Sequence, residues 1–264
     1  MDINRAKKIV EVVLDSYDRR EGLFTNLVNI EENIPLKSGD KQKSLFLFFV
    51  TNIDHGTKSK LLYAGAQELW KKNKTYFDPK QLVKFDKDEL AEILANYLKP
   101  RYPNVAAIRW QKNSELLLNK YNGDPRNMFD AEEANVVLKR IKEFRGMGEK
   151  TGGLFFRSMV NTLGYEYWDI NEIMQPVDVH DMRLSYILGV LDREESKNIH
   201  RVRVIWNEAC SQAGKNWLLF DKALWLIGSE GCNNKKCDEC SVGKFCKQKA
   251  DTTQEKIKKV FGFF

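Results

Sequence analysis

Apolar residues recur along this chain with the three-to-four-residue period of an α-helix, and they do so almost throughout. Runs that alternate between apolar and polar residues, bounded by turn pairs as in β-hairpins, are almost absent. The chain is therefore predicted to be all-α. The predicted helices span residues 4–18, 41–53, 57–72, 87–97, 103–120, 130–144, 149–162, 181–190, 195–213 and 216–228.

Three of these helices carry a start signal. Asp86 precedes KDELAEILANYL and Asp130 precedes AEEANVVLKRIKEF, and aspartate is a favoured N-cap residue. Pro103 heads PNVAAIRWQKNSELLLNK, and proline is favoured in the first helical turn. Residues 164–180 break the period with Gly, Pro and β-branched residues, which predicts an extended segment and a domain boundary. The closing stretch KIKKVFGFF predicts a final basic helix.

Length and composition set broad limits on function. A chain of 264 residues is long enough for one large or two modest domains. It has no apolar run long enough to span a membrane, and it opens with the amphipathic stretch MDINRAKKIVEVVLDSYDRR instead of a signal peptide, so we expect a cytoplasmic protein. The net charge of +6 indicates a mild preference for polyanionic partners. Charge alone does not decide, and nucleic-acid binding has to be argued from motifs.

The stretch FRGMGEKTGG, residues 144–153, joins two predicted helices. Gly146 and Gly148 flank Met147, and this spacing allows positive φ angles that leave consecutive backbone N–H groups pointing outward. Such a concavity at a helix start can bind a phosphate oxygen, or a monovalent cation that bridges to one. The simpler interpretation is that Gly146 only caps a helix and the hairpin is scaffold.

Lys150 lies where a cation is disfavoured, at the first turn of the second helix. The helix dipole and any desolvation both favour its neutral form, and a neutral amine is the form that acts as a nucleophile. Downstream, Asp178 in QPVDVH precedes the next predicted helix, where a carboxylate can be an N-cap and also point into a cleft. The alternatives are that Asp178 only caps the helix, or that Asp181 caps it instead.

Four of the five cysteines crowd into fifteen residues, at Cys232, Cys237, Cys240 and Cys246. This is the spacing of metal ligands and not of disulfides scattered through a secreted domain. Four thiolates can hold tetrahedral zinc or an iron–sulfur cluster, and the spacing alone favours neither. Cys210 stands apart, beside Trp206 on a predicted helix, and we expect it to be a small buried hydrophobe.

Together these motifs resemble the helix-hairpin-helix superfamily of DNA glycosylases (HhH-GPD). GMGEKT is similar to the hairpin and nucleophile of endonuclease III and the 8-oxoguanine glycosylases, and PVDVH is most similar to the latter. The four-cysteine loop is similar to that of endonuclease III, with a shorter first gap. The resemblance covers residues 130–246. It implies a Schiff-base nucleophile at Lys150, a catalytic carboxylate at Asp178 and DNA contacts at Gly146, Met147, Gly148 and His180.

The resemblance also implies an architecture and a cofactor. We expect two helical domains flanking a DNA-binding cleft: a six-helix barrel over residues 40–163, which includes the hairpin, and a second domain from residues 1–39 and 164–264. The cysteine loop 232–246 of the second domain would hold a [4Fe-4S] cluster, with zinc as the alternative. The 28 positions from Lys150 to Asp178 exceed the spacing of commoner members, and the inserted NTLGYEYWDINE is similar to archaeal 8-oxoguanine glycosylases.

The implied function is base excision repair. The resemblance predicts a monomeric, nucleoid-associated enzyme that acts on double-stranded DNA containing a damaged base, as a glycosylase and as a lyase at abasic (AP) sites. Its substrates would be oxidised bases, with 8-oxoguanine favoured over oxidised pyrimidines. A non-catalytic helix-hairpin-helix module that only grips DNA is the competing class. The joint presence of Lys150 and Asp178 argues against it, because a backbone grip needs neither.

Overall fold

The computed structural model describes residues 1–35, 37–173 and 175–248, so the predicted helix at KIKKVFGFF lies outside it. Every regular element in the described part is helical, which confirms the all-α prediction. None of the described helices combines the length and the apolar character needed to cross a membrane. In chain order the described α-helices are α1 (Ile3–Asp18), α2 (Asp40–Asn52), α3 (Ser59–Lys72), α4 (Pro79–Leu82), α5 (Lys87–Tyr97), α6 (Pro103–Tyr121), α7 (Ala134–Ile141), α8 (Glu149–Leu163), α9 (Val179–Ile187), α10 (Ile199–Gln212) and α11 (Trp217–Leu226).

The chain divides into two compact units. The central unit is Val28–Ile173, and the terminal unit combines Met1–Leu27 with the described residues after Ile173. The central unit is longer at both ends than the predicted barrel over residues 40–163. At its start, the Gln67 amide donates to the carbonyl of Asn33 at 2.7 Å, which ties the residues before α2 to α3.

Helix α2 is the core of the central unit. Its residues from Ser44 to Asn52 are all buried, as expected of a helix packed on all sides. The ring of Phe48 makes edge-to-face contacts with Phe144 and Phe155, which join α2 to the hairpin and to α8. The indole N–H of buried Trp110 on α6 donates to the carbonyl of Phe49 at 2.9 Å. Through these contacts the hairpin region packs on the aromatic core of the central unit.

Two of the three predicted helix starts are confirmed. The Asp86 carboxylate accepts from the N–H groups of Asp88 and Glu89, and Pro103 is the first residue of α6. Helix α4 was not predicted, because four residues capped by Asp78 are too short to show a period. The predicted helix over 195–213 is wrong at its start, since α10 begins at Ile199 behind a separate 3₁₀ turn.

The predicted helix over 130–144 is wrong at both ends, since α7 spans only Ala134–Ile141. Asp130 does not cap it. Instead, the buried Asp169 carboxylate accepts from the N–H groups of Ala134 at 2.7 Å and Asn135 at 3.1 Å. A residue 35 positions away therefore fixes where α7 begins. The segment 164–180 was predicted to be extended, but part of it is the 3₁₀ turn Ile170–Glu172, which follows Asp169 directly.

In the terminal unit α1 packs against α10 and α11. The indole N–H of Trp206 on α10 donates to the hydroxyl of Ser185 on α9 at 2.8 Å, and both residues are buried. Cys210 is buried as predicted, and its burial raises the pKa of its thiol. Helix α11 continues into a π-helical turn, Ile227–Cys232, which leads into the cysteine loop.

Candidate active site

Between α7 and α8 the chain makes the predicted hairpin turn, but its two glycines differ. Gly146 has φ +81°, the left-handed conformation that favours glycine. A Cβ there would also lie 3.2 Å from Nη1 of Arg109, whose guanidinium therefore packs on the turn. Gly148 has φ −73°, so the predicted positive φ is wrong for it. A Cβ at Gly148 would meet nothing within 4 Å, and the approach to the start of α8 is open.

Met147 faces the interior. Its side chain is buried, and its N–H donates to the carbonyl of Phe144 at 3.1 Å. The prediction of consecutive outward amides is therefore wrong at this residue. The Met147 side chain therefore anchors the turn in the core.

Two buried asparagines hold the hairpin in place. The Asn113 side chain accepts from the N–H of Arg145 and donates to the carbonyl of Arg145, both at 2.9 Å. The Asn52 amide donates to the same carbonyl at 2.7 Å. We call these contacts of Asn52 and Asn113 with Arg145 the hairpin clamp. Sequence patterns do not reveal it, because the three residues meet only in the folded unit. The hairpin clamp connects α2 and α6 to the turn that precedes Lys150.

Lys150 is the second residue of α8 and is exposed. Its charge acts on Asp54, which lies two residues beyond the Asn52 clamp. Burial raises the pKa of the Asp54 carboxyl, and hydrogen bonds from Tyr63 and Ser59, with the charges of Lys150 and Arg157, offset part of that rise.

In the terminal unit, Asp178 is the N-cap of α9. Its Oδ1 accepts from the N–H groups of His180 at 2.7 Å and Asp181 at 3.2 Å. Asp181 returns the contact by accepting from the N–H of Asp178 at 2.8 Å, which completes a capping box. Asp178 and not Asp181 is thus the cap, and the box fixes the orientation of its carboxylate.

His180 lies against the π-helical turn. A Cβ on Gly228 would come within 2.6 Å of the His180 Cβ, so this close approach requires glycine. Arg183 lies 3.2 Å from Nδ1 of His180 and donates to the carbonyl of Gly228 at 2.8 Å and to Asn233 at 3.0 Å. Arg183 therefore ties α9, with Asp178 at its start, to the cysteine loop.

The cysteine loop is seated on the terminal unit by several further contacts. Arg5 donates to the carbonyls of Leu188 at 2.5 Å and Phe245 at 2.8 Å. Gly22 has φ +55°, and a Cβ there would clash with the carbonyl oxygen of Glu239. The end of the loop and its middle are thus both fixed to the first residues of the chain.

The four thiols of the loop are free of disulfides and influence one another. Burial raises the pKa of Cys232 to about 12, Arg183 offsets part of this, and the neighbouring thiols Cys240, Cys246 and Cys237 add to it. The raised pKa favours the protonated thiol. A protein-bound metal would instead favour the thiolate, because it binds the thiolate form. The four-thiol donor set fits an iron–sulfur cluster or zinc, although no group of three or more His, Cys, Asp or Glu residues within the described ranges is arranged to hold a single metal ion.

Comparisons with known proteins identify the fold. No family model and no curated protein matches the chain. Among solved structures, a non-covalent endonuclease III–DNA complex matches with a TM-score of 0.64 and 14% identity, covering 96% of this chain and 99% of that chain. A trapped endonuclease III–DNA covalent intermediate matches with a TM-score of 0.62 and 15% identity, covering 94% and 99%. The 8-oxoguanine DNA glycosylase of Pyrobaculum aerophilum, complexed with 8-oxoguanosine, matches with a TM-score of 0.53 and 17% identity, covering 93% and 95%. The chain therefore has the fold of endonuclease III and of this 8-oxoguanine DNA glycosylase, which confirms the predicted fold class.

Proposed function

We propose that this protein is a bifunctional DNA glycosylase and AP lyase that removes oxidised bases from double-stranded DNA. The observation that carries the proposal is the position of Lys150. It is exposed at the first turn of α8, directly after a hairpin that Asn52 and Asn113 fix to the core. The fold adds support, since it is shared with endonuclease III, for which a trapped covalent intermediate with DNA is known.

The hairpin is proposed as the contact with the DNA backbone. Gly146 and Gly148 expose main chain at the positive end of α8, and Met147 anchors the turn from below. Arg109 packs on Gly146 and adds a cation at the same place. A monovalent cation at the turn is part of the proposal, and Gly146 and Met147 would supply its carbonyl ligands, because the carbonyl of Arg145 already accepts two hydrogen bonds.

His180 is proposed as a second backbone contact, from the terminal unit. It is half-buried, and its partner Arg183 adds a positive charge beside it. Contacts of this kind position the DNA without reading its sequence. Recognition of damage must then come from the base itself, once it has left the stack.

The chemistry begins with eversion of the damaged nucleotide, since no side chain reaches the glycosidic carbon inside a duplex. The neutral amine of Lys150 attacks C1′, the bond from C1′ to the base breaks, and the base departs with the bonding electrons. Loss of a proton from the lysine nitrogen and opening of the sugar ring give an imine. The imine acidifies the C2′ hydrogens, and β-elimination then breaks the bond to the 3′ phosphate.

Asp178 is proposed to stabilise the positive charge that develops on the sugar and to assist deprotonation of Lys150. The capping box supports this role because it holds the carboxylate in one orientation. Asp178→Asn is expected to lower the rate by several orders of magnitude while the fold persists. If the variant mainly lowers the melting temperature and retains activity per folded molecule, Asp178 is only a cap.

The proposal includes a [4Fe-4S] cluster held by Cys232, Cys237, Cys240 and Cys246, with zinc as the alternative. When bound, it would cross-link the loop and stabilise it, as disulfides do in secreted proteins. Arg5 and Arg183 hold the two ends of this loop against the rest of the terminal unit. Contacts within the protein therefore orient the loop, and a bound cluster would fix its four cysteines in position.

The preferred substrate is proposed to be 8-oxoguanine, on the strength of PVDVH and the inserted segment. Oxidised pyrimidines are the second candidate, favoured by the four-cysteine loop. Duplexes with single defined lesions, incubated with the protein and then treated with or without alkali, separate the possibilities. Strand cleavage without alkali indicates a bifunctional enzyme, cleavage only after alkali a monofunctional one, and no cleavage a DNA-binding module. Lys150→Gln is expected to abolish cleavage without alkali.

A further inference from the structure

A non-helical segment, residues 175–178, carries the chain into α9. Asp178 is its last residue and has an extended backbone, with φ −119°. Pro176 lies two residues before it. Proline fixes its own φ at about −65° and restricts the residue before it to extended conformations. The segment is therefore a short, stiff link of about 10 Å, and whatever holds its far end also acts on the position of Asp178.

Gln175 is the far end of this link, and three hydrogen bonds hold it. Its side chain is fully buried, and the amide donates to Oδ1 of buried Asp221 on α11 at 2.9 Å. Its carbonyl accepts from Nε of Arg203 on α10 at 3.1 Å. Its N–H donates to Oδ1 of Asn207, also on α10, at 3.4 Å. The backbone and the side chain of one residue are thus tied to two helices.

The bond from Gln175 to Asp221 differs in kind from the apolar contacts around it. A hydrogen bond requires a particular distance and angle between donor and acceptor, whereas hydrophobic contact has no preferred direction. A hydrogen bond in the low-dielectric interior is also stronger than the same bond in water. An apolar side chain could fill the place of Gln175, but it would not fix where the segment lies along α11.

Asp178 is therefore constrained from both directions along the chain. On the α9 side, the capping box fixes its carboxylate to the helix, and the bond from Trp206 to Ser185 fixes α9 to α10. On the other side, Gln175 anchors the link to α10 and α11. A catalytic group has to be held within about 0.5 Å of its productive position, and the residues that support it from behind provide this precision.

We infer that Gln175 is a positioning residue for Asp178, and that its hydrogen bond to Asp221 holds the Asp178 carboxylate where it acts on the sugar. The inference rests on the proposed function and adds a residue to it. Because Gln175 is fully buried, it acts on the reaction only through Asp178. Loss of the bond should lower the rate of base removal and leave binding of the duplex unchanged.

The first test combines Gln175→Met, which keeps the volume and removes the hydrogen bond, with Asp178→Asn. The substrate is whichever of the 8-oxoguanine and oxidised-pyrimidine duplexes the unaltered protein cleaves faster. Gln175→Met alone should lower the single-turnover rate of base removal about 10- to 100-fold, because a displacement of about 1 Å costs this much, with the Kd for the duplex within about threefold. In the Asp178→Asn background the same change should alter the rate by less than about threefold, since no catalytic carboxylate is left to position.

The second test moves one methylene group across the pair. Gln175→Asn shortens the donor by one carbon and should lower the rate. Gln175→Asn/Asp221→Glu restores the combined reach and should bring the rate to within about threefold of the unaltered protein. Asn216→Ala is the control, because it removes the cap of α11, which accepts from the N–H of Leu218 at 2.8 Å. It should lower the Tm while the rate per folded molecule stays unchanged.

The outcomes separate positioning from packing. Equal fractional losses from Gln175→Met in both backgrounds, or a rate per folded molecule within about twofold of the unaltered protein, would show that Gln175 is only part of the core and would overturn the inference. A rescue variant no faster than Gln175→Asn would do the same. If Asp178→Asn itself keeps full activity, the proposed role of Asp178 fails and the inference with it. Circular dichroism and a melting curve on each variant supply the folded fraction by which the rates are divided.

Discussion

The hairpin clamp makes a quantitative prediction for Asn113→Ala. This change removes two hydrogen bonds to Arg145, each of 2.9 Å, at a site where Asn113 is fully buried. At about 1 kcal/mol for each bond, and about 1–2 kcal/mol more for the N–H of Arg145 that loses its partner, we expect a loss near 3 kcal/mol in the free energy of unfolding. For a unit of this size that corresponds to a fall of roughly 6–12 °C in Tm.

Asn52→Ala is the matched comparison. It removes one hydrogen bond to the carbonyl of Arg145, which still accepts from Asn113, so we expect a loss of only about 1 kcal/mol. The double variant leaves that carbonyl without either amide, and its loss should exceed the sum of the single losses by about 1 kcal/mol. Urea unfolding of the four proteins gives these values, and hydrogen exchange of the Arg145 amide reports on the clamp itself.

The reasoning fails if the two single variants lose the same stability, or if their losses simply add. It also fails if the Arg145 amide exchanges no faster in Asn113→Ala than in the unaltered protein. Either result would mean that the turn is held by its neighbours in the chain, with no contribution from the asparagines of α2 and α6.

Three further predictions use paired variants. Asp169→Ala should lose about 2 kcal/mol of stability because the start of α7 loses its cap, whereas Asp130→Ala should change it by less than about 0.5 kcal/mol, as measured by thermal melting. Gly146→Ala should lose about 1–2 kcal/mol because of its φ of +81°, whereas Gly148→Ala should be nearly neutral, and equal losses in urea would contradict this. Cys232→Ser should abolish the iron content and the visible absorbance of the purified protein, whereas Cys210→Ser should retain both.

The sequence predicted those parts of the structure that depend on neighbours in the chain. The helical period, the Asp86 cap and the left-handed Gly146 are all local features, and the structure contains each of them. The start of α7 was mispredicted because its cap comes from Asp169, which no local pattern connects to it. The capping residue nearest in sequence, Asp130, was therefore the wrong choice.

In the candidate site, too, local features could be predicted from the sequence and long-range contacts could not. Lys150 and Asp178 stand in recognisable local motifs, and the structure has them at the starts of α8 and α9 as the sequence predicted; their catalytic roles remain proposals. The Asn52–Arg145 and Gln175–Asp221 contacts join residues 93 and 46 positions apart, and neither has a pattern of its own. Gly148 and Met147 were mispredicted because the packing of the turn, not the GxG spacing, sets which groups face outward.

The central claim is that Lys150 forms the covalent bond with DNA. The most direct measurement reduces the protein with borohydride in the presence of an abasic-site duplex, digests the adduct with protease and nuclease, and locates the modified residue by mass spectrometry. We predict that the modification lies on Lys150 and that Lys150→Gln gives no adduct while still binding the duplex. A modification on any other lysine or on the amino terminus, or an undiminished yield from Lys150→Gln, would contradict the claim.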